Sequence, residues 1–362
     1  MTGTHGGDIY TPLYETGREF LDFSANISPL GVPAGVLAAV YDAAHRLDRY
    51  PDSRCRELRA ALSRYHRAPP DTIVCGNGAA DLIYRLVQWR KPKQALVPAP
   101  SFSEYEKALR ESGCEVLQPP LYERDFGIRK SVIDGITEKT DMLFLCNPNN
   151  PTGLVIPPDF LRDMLRACVR HDTTVMVDEC FNGFLDDPAC HTLEDALPAS
   201  PRLFILKAFT KLYALAGLRV GYLLCGSASA AAGVAGTGQA WPVSSLAQAA
   251  GVAALRETSY AEAVRHLVRS ERETMKAGLQ DAGLSVIGGD ANYIFFEIPA
   301  GSGFDRRRFF QDFRAAGILV RDCADYPGLD GAYCRIALRK PEENRRLLAA
   351  IREMRHTRKG AP

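Results

Sequence analysis

Seven short apolar runs, at residues 72–75, 95–98, 115–117, 142–146, 174–177, 203–206 and 220–225, constrain the fold of this chain more than any other feature. The run Met142-Leu143-Phe144-Leu145-Cys146 is apolar at every position, not at every second one. Strand side chains point alternately to two faces, so a run without alternation needs both faces covered. Between the runs, segments 53–66, 80–89 and 158–171 carry apolar residues at helical spacing. Strand–helix alternation of this kind predicts an α/β class domain: a seven-stranded, mainly parallel sheet sandwiched by helices. After Trp241-Pro242 the pattern changes. A helical stretch over 244–282, broken near Thr258-Ser259, precedes short strands at 285–287, 293–297, 318–320 and 333–338, with helices at 305–315 and 341–354. This predicts a smaller α+β domain. The expected division is an N-terminal segment 1–45 docking on the small domain, a large domain 46–260 and a small domain 261–362. The polar tail, 356–362, is expected to fray.

Charge excludes some partners. Lysine and arginine number 44 against 43 aspartates and glutamates, so there is no net field for nucleic acid or a membrane surface. Any phosphate recognition must be local. None of the ten cysteines forms a CxxC pair or a zinc-like cluster, and several lie inside apolar runs. They read as reduced, buried thiols of a cytoplasmic protein. Residues 1–8 lack the apolar core of a signal peptide, and no run is long enough to span a bilayer.

Ligands of α/β sheets collect at the carboxyl ends of the strands, and the motifs richest in chemistry follow strands here. Lys211 closely follows the run 203–206, with Thr210 before it and Arg219 eight residues after it. A lysine in a dry pocket loses its proton and can form a Schiff base with a carbonyl cofactor. A hydroxyl and a guanidinium beside it suit a phosphate. Cys75-Gly76-Asn77-Gly78-Ala79-Ala80-Asp81 opens a helix with small residues that let backbone N–H groups approach an anion. Asn147-Pro148-Asn149-Asn150-Pro151-Thr152-Gly153 is turn punctuation, and it also offers the Asn150 amide to a ring oxygen. Asp178 ends a buried run, where a carboxylate is costly unless paired. A cationic partner and a helix N-cap both remain open for it. Phe102, in Ala99-Pro100-Ser101-Phe102-Ser103-Glu104-Tyr105, suits either ring stacking or core packing.

In order and spacing these motifs resemble the fold-type I pyridoxal 5'-phosphate (PLP) enzymes, the aspartate aminotransferase superfamily, over nearly the whole chain. The resemblance implies the PLP-dependent transferase fold. It implies that Lys211 carries the cofactor, Asp178 holds its pyridine nitrogen, Asn150 contacts the ring hydroxyl and Phe102 stacks on the ring. Gly78, Ala79, Thr210 and Arg219 would hold the phosphate. Arg49-Tyr50-Pro51-Asp52 resembles the segment whose tyrosine, here Tyr50, reaches a second subunit's cofactor, which implies a homodimer with shared active sites. Arg335 matches the arginine that binds a substrate α-carboxylate. Lys207, by contrast, is expected to be replaceable with little loss.

Two branches of the superfamily are near, the histidinol-phosphate aminotransferases and the threonine-phosphate decarboxylases of cobalamin biosynthesis. His5-Gly6-Gly7, the block from Leu21 to Gly31 that includes Asn26, and the block from Arg321 to Leu329 resemble the second. Cys180-Phe181 stands where the first branch usually has Ala-Tyr, and Ala208 stands where many members have Ser. The resemblance implies decarboxylation of L-threonine O-3-phosphate to (R)-1-amino-2-propanol O-2-phosphate. Alternatives are a histidinol-phosphate-type aminotransferase or a preference for L-serine O-phosphate. Arg335 would take the substrate carboxylate, Asn26 would add a contact, and His5, Arg321 and Arg339 are candidates for its phosphate.

Overall fold

The computed structural model describes residues 5–122 and 125–359. Its strands are β1 (Leu21–Asp22), β2 (Ile73–Gly76), β3 (Gln94–Leu96), β4 (Glu115–Leu117), β5 (Met142–Cys146), β6 (Thr174–Asp178), β7 (Leu203–Ala208), β8 (Gly221–Cys225), β9 (Ser285–Gly288), β10 (Tyr293–Glu297), β11 (Ile318–Leu319), β12 (Arg321–Asp322) and β13 (Tyr333–Ala337). Each of the seven apolar runs forms a strand of one seven-stranded sheet, in the order β2-β8-β7-β6-β5-β3-β4. Only β8 runs antiparallel to its neighbours.

The missing alternation in the runs has a direct structural cause. Leu143 and Leu145 of β5 enter one core, while Met142, Phe144 and Cys146 enter another on the opposite face. Val175 and Val177 of β6, and Leu203 and Ile205 of β7, join the first; Met176, Phe204 and Leu206 join the second. Each large side chain buried this way stabilises the sheet by about 1.5–3 kcal/mol. β5, β6 and β7 pair parallel in register, so Cys146, Asp178 and Leu206 end level with one another. That alignment brings the motifs following three strands to one edge.

A second sheet, β12-β13-β10-β9, is antiparallel and packs with helices Thr258–Asp281, Arg306–Ala315 and Pro341–Lys359 around its own core. The expected strand at 318–320 ends at Leu319, and a further short strand, β12, follows it at Arg321–Asp322. β11 pairs parallel with β1, and the chain then turns so that β12 pairs with β13. Residues after β1 continue this docking, since Phe23 N–H donates to Leu319 and Ala337 N–H donates to the Phe23 carbonyl. Helix Ala34–Ala44 packs instead on helix Ser245–Ala254. The break near Thr258 is present, between helices Ser245–Ala254 and Thr258–Asp281. The last helix runs to Lys359, past the expected end at Met354, so the tail is helical up to there; residues 360–362 lie outside the described residues, as do 1–4. Among the described residues no helix is long and apolar enough to cross a membrane.

Candidate active site

The carboxyl edge of β5, β6 and β7 opens on a cavity. Ala79, Phe102, Asn150, Asp178, Thr210, Lys211 and Arg219 line it together, drawn from segments up to 140 residues apart. Gly78 begins the helix Gly78–Arg90 with φ 82°, a conformation that favours glycine. A Cβ there would meet the Arg219 guanidinium at 2.9 Å. The bare backbone, the helix N-terminus and Arg219 therefore form one cradle of anion-binding character. Gly221 of β8 lies beneath it, where a Cβ would touch Gly78 and Ala79 at 3.0 Å.

Asp178 is 5% exposed, and its carboxylate is not a helix cap. One oxygen accepts from the Tyr105 hydroxyl at 2.6 Å, the other from Cys180 N–H at 2.9 Å. Burial raises its pKa, with the Cys180 and Tyr105 hydrogen bonds and the charge of Lys211 acting against the rise. Lys211 lies in the short helix Phe209–Leu212, its Nζ 5.5 Å from the centre of the Phe181 ring. Burial, then the nearby charge of Arg335, pulls its pKa down to about 8, with the neighbouring Cys180 and Asp178 opposing. An amine of lowered pKa, a buried carboxylate, a flanking aromatic ring and a phosphate-type cradle fit PLP.

The substrate side is built from the other sheet and the N-terminal segment. Arg335, on β13, donates to the Asn150 side-chain oxygen and at 2.6 Å to the Ser24 carbonyl. Asn150 also accepts from the Tyr326 hydroxyl at 3.3 Å. Buried Arg335 Nε and Asn26 Oδ1 have no hydrogen-bond partner among the described residues, so polar capacity is left for a ligand. Arg321 is 8% exposed, is clamped by both oxygens of Asp325 at 2.7 Å and lies 5.3 Å from the centre of the Tyr326 ring. His5 sits at the mouth, its ring 5.7 Å from that of Phe102 and its Nε2 2.9 Å from Glu104. None of His5, Asn26, Arg321, Arg335 and Arg339 is among the side chains that line the cavity itself; Arg339 pairs with Glu343 at 2.8 Å. Tyr50 is 81% exposed and stacks on Trp241 at 4.7 Å, away from this chain's own cavity.

Two features escape a reading of local motifs. Tyr105 grips Asp178 from 73 residues away, and no local signal marks the pair. Lys207 is not a bystander. Its ammonium lies 2.8 Å from Glu179 and 2.9 Å from Glu194, and Glu194 continues to His66, which meets the Tyr222 hydroxyl. The Glu179 side chain is wholly buried, so replacing Lys207 would strand a carboxylate. The expectation that Lys207 is replaceable with little loss is therefore corrected.

Comparison with known proteins gives a consistent setting. A family model described as aminotransferase class I and II matches residues 18–351. The chain is 37% identical over 359 residues to a threonine-phosphate decarboxylase of Salmonella typhimurium, covering 98% of this chain and 97% of that one. It is 35% identical over 342 residues to a histidinol-phosphate aminotransferase of Desulfitobacterium hafniense, covering 91% and 90%. Among solved structures, the histidinol-phosphate aminotransferase from Clostridium acetobutylicum matches with a TM-score of 0.87 at 26% identity, over 93% of this chain and 99% of that one.

Proposed function

The chain belongs to the class I and II aminotransferase family and is a PLP enzyme of aspartate aminotransferase-like fold, and from that premise we propose that it decarboxylates L-threonine O-3-phosphate to (R)-1-amino-2-propanol O-2-phosphate. The observation that carries the reading is the position of His5-Gly6-Gly7. A Cβ on Gly6 would lie 2.1 Å from the Ser24 carbonyl oxygen and 3.3 Å from Arg335. The segment that resembles the decarboxylase branch thus packs against the arginine expected to take the carboxylate. The 37% identity to the Salmonella typhimurium decarboxylase supports the same choice.

In this reading Lys211 holds the cofactor covalently and Asp178 faces its ring nitrogen. Asn150 contacts the ring oxygen, Phe102 covers one face, and Gly78, Ala79, Thr210 and Arg219 hold the phosphate. When bound, the cofactor supplies an electron sink for charge left at the substrate's α-carbon. Arg335 and Asn26 fix the carboxylate end of the substrate, and Arg335 thereby sets the angle of the bond to be broken. His5 and Arg321 take the substrate phosphate, with Arg339 outside the cavity in a lesser role. Tyr50, exposed beside the exposed Trp241, is offered to the cofactor phosphate of a second copy, so the active unit is a homodimer. We place the enzyme in the cytoplasm and divide the chain into segments 1–45, 46–260 and 261–362.

The second reading is a histidinol-phosphate-type aminotransferase, favoured by the similarity to the Desulfitobacterium hafniense protein. The deciding experiment incubates holoenzyme with threonine phosphate, serine phosphate or histidinol phosphate, with and without 2-oxoglutarate, and measures CO2 and glutamate. CO2 from threonine phosphate without 2-oxoglutarate is the expected result. Glutamate formed in step with substrate, and no CO2, would overturn the proposal.

A further inference from the structure

His5 is the one phosphate candidate contributed by the N-terminal segment, and what holds it in place decides whether it can act. Two hydrogen bonds tie residues 5–7 to the rest of the chain. Gly7 N–H donates to Ser24 Oγ at 2.7 Å, and Ser24 adjoins Phe23, which hydrogen-bonds to the β11 and β13 regions of the small sheet. His5 Nε2 meets Glu104 Oε1 at 2.9 Å, and Glu104 belongs to helix Ser103–Glu111 on the side of the large sheet. The segment is therefore a strap that crosses the mouth of the cavity from one sheet to the other.

Glu104 is built for this contact. Its side chain is only 15% exposed, while His5 is 47% exposed. Its second oxygen accepts from the Tyr84 hydroxyl at 3.3 Å, which fixes the carboxylate before His5 arrives. Phe102, two residues earlier, lines the cavity and lies 5.7 Å from the imidazole ring, tilted at 42° to it. With Nε2 taken by Glu104, His5 Nδ1 is left without a hydrogen bond among the described residues. An imidazole that donates Nε2–H to Glu104 can also donate Nδ1–H to a phosphate oxygen when both nitrogens carry protons. Arg321, on β12, is braced differently, by Asp325 four residues further along the chain.

We propose that Glu104 is a positioning residue that confers preference for phosphorylated substrates by pinning His5 and the N-terminal strap across the cavity mouth. The proposal rests on the reading of a phosphorylated amino-acid substrate given above. Glu104 touches neither the reacting atoms nor the phosphate; it acts through the ring it orients.

The test compares Glu104→Gln, Glu104→Asp, His5→Ala and the double variant His5→Ala/Glu104→Gln, with threonine phosphate and with unphosphorylated threonine. Glu104→Gln should raise KM for threonine phosphate about three- to tenfold, with kcat held within about twofold. The rise should be confined to the phosphorylated substrate, be partly reversed in Glu104→Asp, and add nothing in the double variant beyond His5→Ala. Wild-type KM in Glu104→Gln, equal losses with both substrates, or additive losses in the double variant would overturn it. Amide exchange of residues 5–9 in the holoenzyme separates the two layers of the argument. Faster exchange in Glu104→Gln, with no turnover of threonine phosphate by the wild type, would refute the substrate reading and keep the strap. Unchanged exchange would refute the strap.

Discussion

Two lysines stand four residues apart at the end of one strand, and their surroundings are opposites. Lys207 faces two carboxylates, and their charges push its pKa up despite its burial. Lys211 faces away from that cluster into a cavity where Arg335 and Arg219 add positive charge, and its pKa falls to about 8. Burial alone lowers the pKa of any lysine. The neighbours therefore decide which lysine is a fixed cation and which gives up its proton more easily. The difference also separates stability from chemistry. The Lys207 cluster joins Glu179, Glu194, His66 and Tyr222 beside the sheet, while Arg335, which bonds the cavity-lining Asn150, keeps its Nε unpartnered among the described residues.

The largest expected effect tests the first half of that contrast. Lys207→Met should cost about 3–5 kcal/mol of stability, since it leaves the buried Glu179 carboxylate without its cation. Chemical denaturation of the cofactor-free protein measures it. Adding Glu179→Gln should recover most of the loss, because it removes the stranded charge. A fully stable single variant would show that the cluster is only an ornament of the fold. The cluster also has an acid limit. Glu194, whose hydrogen bond to His66 and attraction to Lys207 outweigh its burial, has its pKa lowered to about 2. Its contribution is complete above the ordinary glutamate value of about 4.3 and is lost as the pH falls toward 2.

The second prediction concerns pH at Lys211. In the cofactor-free protein the rate of covalent PLP capture should rise about tenfold per unit up to pH 8 and then level off, because only the neutral amine reacts. The linked stability has the matching sign. A lysine with a lowered folded pKa binds its proton more weakly when folded, so stability rises as the pH climbs from about 8 toward the ordinary value of about 10.4. Arg335→Met should move the midpoint upward, since Arg335 is the largest charge effect on Lys211. A midpoint unmoved by that change would break the electrostatic account.

The smallest effect is at Tyr105. Tyr105→Phe removes one hydrogen bond from Asp178 and should weaken PLP retention about five- to tenfold with little change of fold. Equilibrium dialysis followed by absorbance reads it directly. Retention equal to wild type would mean that Cys180 N–H alone orients the carboxylate.

Legibility in the sequence follows the range of the interactions. The seven strands of the large sheet are local apolar runs, and local burial on both faces made them visible. Lys211, Asp178, Asn150 and Thr210 were visible because each lies at or just past a strand end, where an α/β sheet collects its ligands, and Arg219 through its spacing from Lys211, just before β8. The Tyr105–Asp178 and Lys207–Glu194–His66 contacts were not visible, since each joins residues that are near only after the sheet closes. The split of 318–322 into β11 and β12 was hidden for a related reason. Two different sheets compete for adjacent residues, and apolar pattern alone cannot say where one hands over to the other. The clamping of Arg321 by Asp325 is local, yet a charged pair that joins a strand to the turn after it has no periodicity to announce it.

The contrast between the two lysines can be tested in one measurement. Holoenzyme reduced with borohydride, digested and mapped by mass spectrometry reports which lysine carries the cofactor. The account predicts the pyridoxyl label on Lys211 alone, with Lys207 unlabelled in the same digest. Label on Lys207, or label shared between the two, would contradict it.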